Sequence, residues 1–570
     1  MRISSRFALL VTLSGLLVPS ALRAADVPFE QRLPDKIALF ASIPDFGEFK
    51  ERFAKTSYGR LIEDPQLADY REQFEKWIRT STAEENVLPP GIELDDLLKI
   101  PKGEVAVAMT LPGRKASSFA MSLEFGDSLD TVEKLIDEAV AKSVEAEWKK
   151  DEVEFQGSRI TTLEGPADPK RPKQKPVKLA FVIEDSTLIL SSSLELCQEI
   201  LDRWDGKADG SLAKNEIFRH VIDSTTERNR TPVARWYLNI ADLIQGAFAS
   251  ADASNMILNV ARGNIGRVGV LEFRGMGGSI DLATDGFDSI SRTAAWVDEP
   301  VTGFLSVFTF PVDDVAPPAW VPADSSMYLS GNWDIERAYT SVESLYDTIM
   351  GAGRFNAGVQ KIAADEGGPK VHIKLDLIDT LDGKIHLMQS NLGGDQEASG
   401  GGLLVALEVT DRQKAEELLE KVATTPGSPF ESRMYRDRKI WSMKAPGKGP
   451  SIAVAHDCIF LSSDDGLLES AIRADPDVKR LADDKSFQHH TSRMPKRVSL
   501  FSVQRSEQQM QAIYKLLKSE GPGGNGAPDP AKLPDFDVIK HYFLPGVTYV
   551  VPNARGFNYV TYSLTDDVSE

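Results

Sequence analysis

Seven histidines, His220, His372, His386, His456, His489, His490 and His541, carry the widest chemical repertoire in this sequence, as metal ligands and as acid–base groups near neutral pH. None belongs to a His-Glu-x-x-His zinc pattern. The adjacent pair His489-His490 suggests a metal, but neighbouring helical residues point in different directions, so a solvated pair is expected. Asp376, Asp379 and Asp382 before Gly383 superficially suggest a calcium loop. Their spacing is wider than such a loop uses, and the closing Glu is missing. No Gly-x-Ser-x-Gly elbow precedes a helix and no phosphate loop is present. Gly275-Met276-Gly277-Gly278 lacks the order of a dinucleotide fingerprint and reads as a turn between strands. Local spacing therefore assigns no catalytic residue, no metal ligand and no cofactor.

Cys197 and Cys458 are the only cysteines. An exported protein that depended on disulfides would carry more of them, so two separately buried thiols are expected, a bridge between the halves being the alternative. The aromatic residues recur in segments read as strands, Trp236-Tyr237 and Tyr542-Phe543 among them. In the last strand, Phe557 and Tyr559 share one sheet face by their spacing of two. Core packing accounts for these rings, and the terminal strand is where exposed ones, of use to a sugar-binding surface, would appear.

The elements that position these residues come in two ordered sets. Leu33-Pro34-Asp35-Lys36-Ile37-Ala38-Leu39-Phe40, followed by Asp45-Phe46, returns as Val321 to Leu329 followed by Asp334-Ile335. Asp96-Leu97-Leu98 with Gly103 to Val107 returns as Asp376-Leu377-Ile378 with Gly383 to Leu387. Leu123-Glu124-Phe125-Gly126-Asp127 returns as Leu407 to Asp411, and Glu184 to Ser192 returns as His456 to Ser463. Leu212-Ala213 with Phe218 returns as Leu481-Ala482 with Phe487. Preserved order across five matches identifies an internal duplication. The Pro-rich stretch Pro311 to Pro322 reads as the joint.

Each copy alternates strands or hairpins, a carboxylate or hydroxyl residue, and an amphipathic helix. The spacing predicts helices burying Val132, Leu135, Ile136, Ala139 and Val140, then Ala415, Leu418, Leu419 and Val422, then Ile335, Ala338, Val342, Leu345 and Ile349. Asp45, Asp127, Asp334 and Asp411 before helices invite a catalytic reading, but Asp is a preferred N-cap residue and capping accounts for them. Arg159 to Leu163, Leu179 to Ile183 and Thr187 to Leu190 read as antiparallel strands. Pro166 to Pro176 forms a basic hairpin loop, and Gly393 to Gly402 and Gly521 to Pro534 read as flexible loops. The fold class is α+β, two homologous halves, each an antiparallel sheet covered by amphipathic helices. The expected division is a signal peptide at 1–24, a first domain at 25–312, a joint at 313–320 and a second domain at 321–570.

The first residues place the chain outside the cytoplasm. Arg2 and Arg6 precede an apolar run from Phe7 to Val18, too short to span a bilayer, and small residues follow. Cleavage is expected after Ala24, with Ala25 the second position. Nothing later approaches membrane-spanning length, so no span is expected in the mature chain. The formal charge is −20, and removing Arg2, Arg6 and Arg23 leaves 62 basic against 85 acidic residues. Such a surface repels phosphate backbones, which argues against nucleic acid. A chain of 570 residues exceeds one core, which stops growing at about 250–300 residues.

With its signal peptide, Leu-Pro-Asp entry, strand-Asp-helix units and Leu-Ala-to-Phe element, the sequence resembles a set of large exported bacterial proteins of unknown function. The resemblance implies an extracytoplasmic compartment and no catalytic or binding residues. The expected function is a non-catalytic protein of the bacterial envelope that binds another macromolecule, protein or polymer, or assembles with itself. Two alternatives stay open: a secreted hydrolase with a carboxylate site between the halves, and a carrier of a small apolar ligand.

Overall fold

The computed structural model describes residues 27–84, 100–110, 117–167, 176–228, 230–250, 263, 265–390, 402–445, 447–474, 476–520 and 527–565. The signal peptide with Ala24 and Ala25, the Asp96 motif, the centre of the basic loop and most of the two glycine-rich loops lie outside the described residues. The fold mixes helices with extensive antiparallel sheet. The chain separates into two compact units: residues up to Ser254 with Arg274–Trp296 and Glu520–Pro534, and Asn255–Phe273 with Val297–Ser519 and Asp535 onward.

The first unit contains β1 (Leu39–Ile43), β2 (Val105–Thr110), β3 (Ser118–Glu124), β4 (Lys149–Phe155), β5 (Ser158–Glu164), β6 (Lys178–Glu184), β7 (Thr187–Ser191), β8 (Ala234–Leu238), β9 (Phe273–Thr284) and β10 (Phe287–Val297). Their spatial order is β4-β5-β6-β7-β3-β2-β1-β8-β9-β10. The second unit contains β11 (Met327–Asn332), β12 (Leu381–Ser390), β13 (Gly402–Val409), β14 (Phe430–Tyr435), β15 (Arg438–Ala445), β16 (Gly447–Ala455), β17 (Cys458–Ser462), β18 (Leu500–Gln504), β19 (Gly546–Asn553) and β20 (Gly556–Leu564). Their order is β14-β15-β16-β17-β13-β12-β11-β18-β19-β20. The two orders correspond strand for strand. An isolated bridge, Pro34 to Ser211 in one unit and Pro322 to Arg480 in the other, recurs at matching places.

Helices α1 (Phe29–Arg32), α2 (Phe46–Lys55), α3 (Leu129–Glu145), α4 (Leu194–Leu201) and α5 (Glu216–Asp223) serve the first unit. Alternation along the strands gives two apolar faces. One carries Phe40, Ala106, Ala108, Ala120, Ile160 and Ile189, covered by Leu196, Ile200, Phe218 and Val221 of α4 and α5. The small side chains of β2 and β3 let those helices sit close. The opposite face presents Leu123 and Leu188 to Val132, Leu135 and Ile136 of α3. In the second unit, α6 (Ile335–Met350), α7 (Arg354–Ala364), α8 (Arg412–Ala423), α9 (Asp465–Arg473) and α10 (Lys485–Thr491) follow in order. Ala415 and Leu419 of α8 pack on Val409, Val454 and Ile459. Among the described residues, no helix is long and apolar enough to cross a membrane.

Three local expectations need correction. Gly275 to Gly278 is no turn; it lies inside the twelve-residue strand β9. A Cβ at Gly275 would stand 2.8 Å from Ile217, and one at Gly277 2.8 Å from Val221, so the glycines are where α5 presses on the strand. Tyr542-Phe543 is not in a strand: Lys540–Tyr542 is one turn of 3-10 helix, and Phe543 packs on Phe536. Helix α6 buries Ile335 and Ala338 as expected, but Val342 is 42% and Ile349 52% exposed. Its outer half packs on one side only, where Tyr346 meets the Phe355 ring at 5.8 Å and Asp347 accepts from Phe355 N at 2.8 Å.

Candidate functional site

The aspartates before the helices act on backbone. Asp45 Oδ1 accepts from Glu48 N (2.9 Å), Asp334 from Arg337 N (3.0 Å), Asp411 from Lys414 N (3.1 Å), Asp464 from Leu467 N (2.7 Å) and Asp484 from Phe487 N (2.8 Å). Each satisfies an amide of a first helical turn. The cap expected from Asp127 is not formed: α3 starts after Ser128, whose side chain makes no capping bond. Replacing the buried Asp464 by alanine is expected to cost about 1–2 kcal/mol of second-unit stability, measured by denaturant titration. An unchanged midpoint would show that the cap is not what holds α9.

The second unit holds a polar chain that no local spacing announced. His386 on β12 is fully buried. Its Nδ1 lies 2.8 Å from Tyr328 Oη and 3.1 Å from Ser330 Oγ, both on β11, and its Nε2 lies 2.9 Å from Glu408 Oε1 on β13. With Nε2–H donating to the Glu408 carboxylate, the single lone pair of Nδ1 accepts from the closer Tyr328 hydroxyl, and the Ser330 hydroxyl stands against both. Trp320 meets the ring edge-on at 5.6 Å, and the Tyr328 ring is nearly parallel at 6.0 Å. Burial raises the Tyr328 hydroxyl pKa, so it stays a donor.

A hydroxyl, an imidazole and a carboxylate in series have the composition of a hydrolytic triad. Here Tyr328 and Ser330 are buried. The adjoining cavity, lined by Ser325, Tyr328, Ser486, His490 and Arg505, measures about 10 Å³, room for one water. An acyl substrate cannot reach Ser330, and the chain can hold a proton in place between three strands. In the first unit the same register positions carry Phe40, Ser42 and Ala106. There the Ser42 hydroxyl is buried without a hydrogen-bond partner, where Ser330 has the imidazole.

His489-His490 is not the solvated pair expected. His490 is 1% exposed on α10, its Nδ1 2.7 Å from Ser486 O, because the helix turns it inward beside Phe487. The two rings meet edge to face, 5.3 Å apart. Asp376 accepts from His372 N, and Asp379 pairs with Lys374. Among the described residues, no group of three or more His, Cys, Asp or Glu side chains is placed to hold a metal ion. On β20, Tyr559 is exposed at 42% while Tyr562 is buried and donates to His490 O (2.6 Å).

Cys197 and Cys458 are free and buried, one in each unit. Burial pushes both thiols up to about 12, with Glu408 adding to the effect at Cys458.

The first unit has its own buried charge cluster. Arg235 on β8 bonds Glu30 Oε1 at 2.7 Å and stands 3.7 Å from Glu104 Oε1. Glu104 Oε2 accepts from Phe29 N at 2.8 Å, and Glu104 N donates to Glu124 Oε2 at 2.9 Å. Sequence reading missed this group because its members come from α1, the start of β2, β3 and β8. No family model, curated protein or solved structure matches the sequence.

Proposed function

We propose that this chain is an exported, non-catalytic protein of the bacterial envelope, built from two divergent copies of one ten-stranded unit, which engages a macromolecular partner or a second copy through an apolar helix face. The observation that carries the reading is the outer half of α6. Val342, Tyr346 and Ile349 recur at helical spacing and are 42–52% exposed. Phe304 and Phe308, an edge-to-face pair 5.3 Å apart, flank the same helix, where Ser306 bonds Ser341 at 2.7 Å. A cluster of exposed aromatic and aliphatic side chains is the composition of interface centres.

Matched strand orders, the paired bridges and the paired Leu212 and Leu481 turns support duplication. Arg2, Arg6 and the apolar run to Val18 support export. The one-water cavity beside Tyr328 weighs against a carrier at that place.

Immobilised full chain is expected to enrich a protein or polymer from envelope extracts, or itself. Ile349→Asp should cut recovery about tenfold, as a central apolar contact does. Because Ile349 is exposed, the fold should survive the change. No enrichment together with a monomer by light scattering would defeat the proposal.

A further inference from the structure

We propose that Glu30, Glu104 and Arg235 form a proton-gated clasp that holds the segment Val27–Arg32 on the first unit and loosens it as the pH rises. The geometry is that of two carboxylates competing for one guanidinium. Arg235 gives Glu30 two contacts, at 2.7 and 3.3 Å, and keeps Glu104 at 3.7 Å. Glu104 Oε1 is buried without a hydrogen-bond partner, while Oε2 grips the backbone at Phe29. The charged groups facing Glu104 are Glu30 and Arg32 on α1, Arg235 on β8 and Glu124 on β3. Arg32 is drawn over the Trp204 ring, 3.8 Å from its centroid. One proton relieves both the unpartnered oxygen and the repulsion between the acids.

Burial first, and then Glu30, raise the Glu104 carboxyl to about 7, against 4.5 for the free side chain. A carboxyl raised on folding stabilises the closed state fully below the lower value and loses that contribution as the pH climbs through the upper one. The working window is therefore pH 4.5–7. What the proton secures is substantial, since Phe29 and Leu33 sit in the first unit's main core.

The second unit makes the corresponding contact differently. Lys384 holds the Glu104 register position and pairs with Asp313 at 2.9 Å. That hydrogen bond holds the Asp313 carboxyl below its ordinary range, so the pair stays charged across the same window. The clasp in the first unit responds to protons, and its counterpart does not.

Hydrogen exchange of the peptide 27–35 in the full chain, corrected for intrinsic rates, tests this between pH 5 and pH 8. Opening should become at least about tenfold more frequent at pH 8, within a ceiling on the order of a few hundredfold set by the two titration points. Glu104→Gln should abolish the dependence by mimicking the protonated acid, and Glu30→Gln should move its midpoint to lower pH. Peptide 311–318 serves as the unresponsive control. Wild-type exchange that changes less than twofold would overturn the proposal, as would a Glu104→Gln chain retaining the full dependence.

Discussion

Replacing His386 by alanine is expected to destabilise the second unit by about 4 kcal/mol, through a cavity and through the Tyr328 hydroxyl left buried without its acceptor. The imidazole is fully buried between Tyr328, Trp320 and Ser330, so neighbouring atoms cannot easily close the gap. Glu408 keeps partial access to solvent and can be rehydrated. Tyr328→Phe alone removes one hydrogen bond and should cost about 1 kcal/mol. The first unit uses Phe40 and Ala106 at these positions, so Tyr328→Phe combined with His386→Ala installs its solution. The double variant should cost less than the sum, because the orphaned phenol is gone. Exchange protection of the β11 amides reads these effects in the second unit itself. A loss under about 1 kcal/mol for His386→Ala would mean that the polar chain is dispensable.

Gly278→Ala should cost the first unit about 3 kcal/mol or more, and often its solubility, because overpacking here has no outlet. An added Cβ would stand 2.2 Å from the carbonyl oxygen of Arg292 and 3.1 Å from Trp236 Nε1. The obstacle is backbone of the adjacent strand β10, which cannot rotate away. Gly546→Ala is the matched control: a Cβ there meets nothing within 4 Å, so its effect should stay within about 0.5 kcal/mol. If both variants melt alike, the close approach of β9 to β10 is wrong.

What was legible in the sequence is what nearest neighbours encode. Cap aspartates, helix faces such as Val132 with Ala139, and the Leu212 and Leu481 turns follow from residues within one or two helical turns, where periodicity and capping act. The polar sites are a different matter. His386 stands in a strand of mixed polarity, and its partners Ser330 and Glu408 lie 56 and 22 residues away. Only strand pairing brings them together. Glycine's local preference points to a turn at Gly275 to Gly278, whereas the helix packed across β9 decides the matter. Val342 and Ile349 carry a buried-face pattern that local spacing cannot distinguish from a face awaiting a partner.

Cys197 and Cys458 offer a way to watch each half of the molecule breathe. A thiol reagent attacks the thiolate, and both sulfurs are sealed and protonated while their surroundings stay closed. The rate at which each becomes blocked therefore times the opening of its own unit, with no foreign label introduced. The natural chain thus carries two clocks, one in each unit.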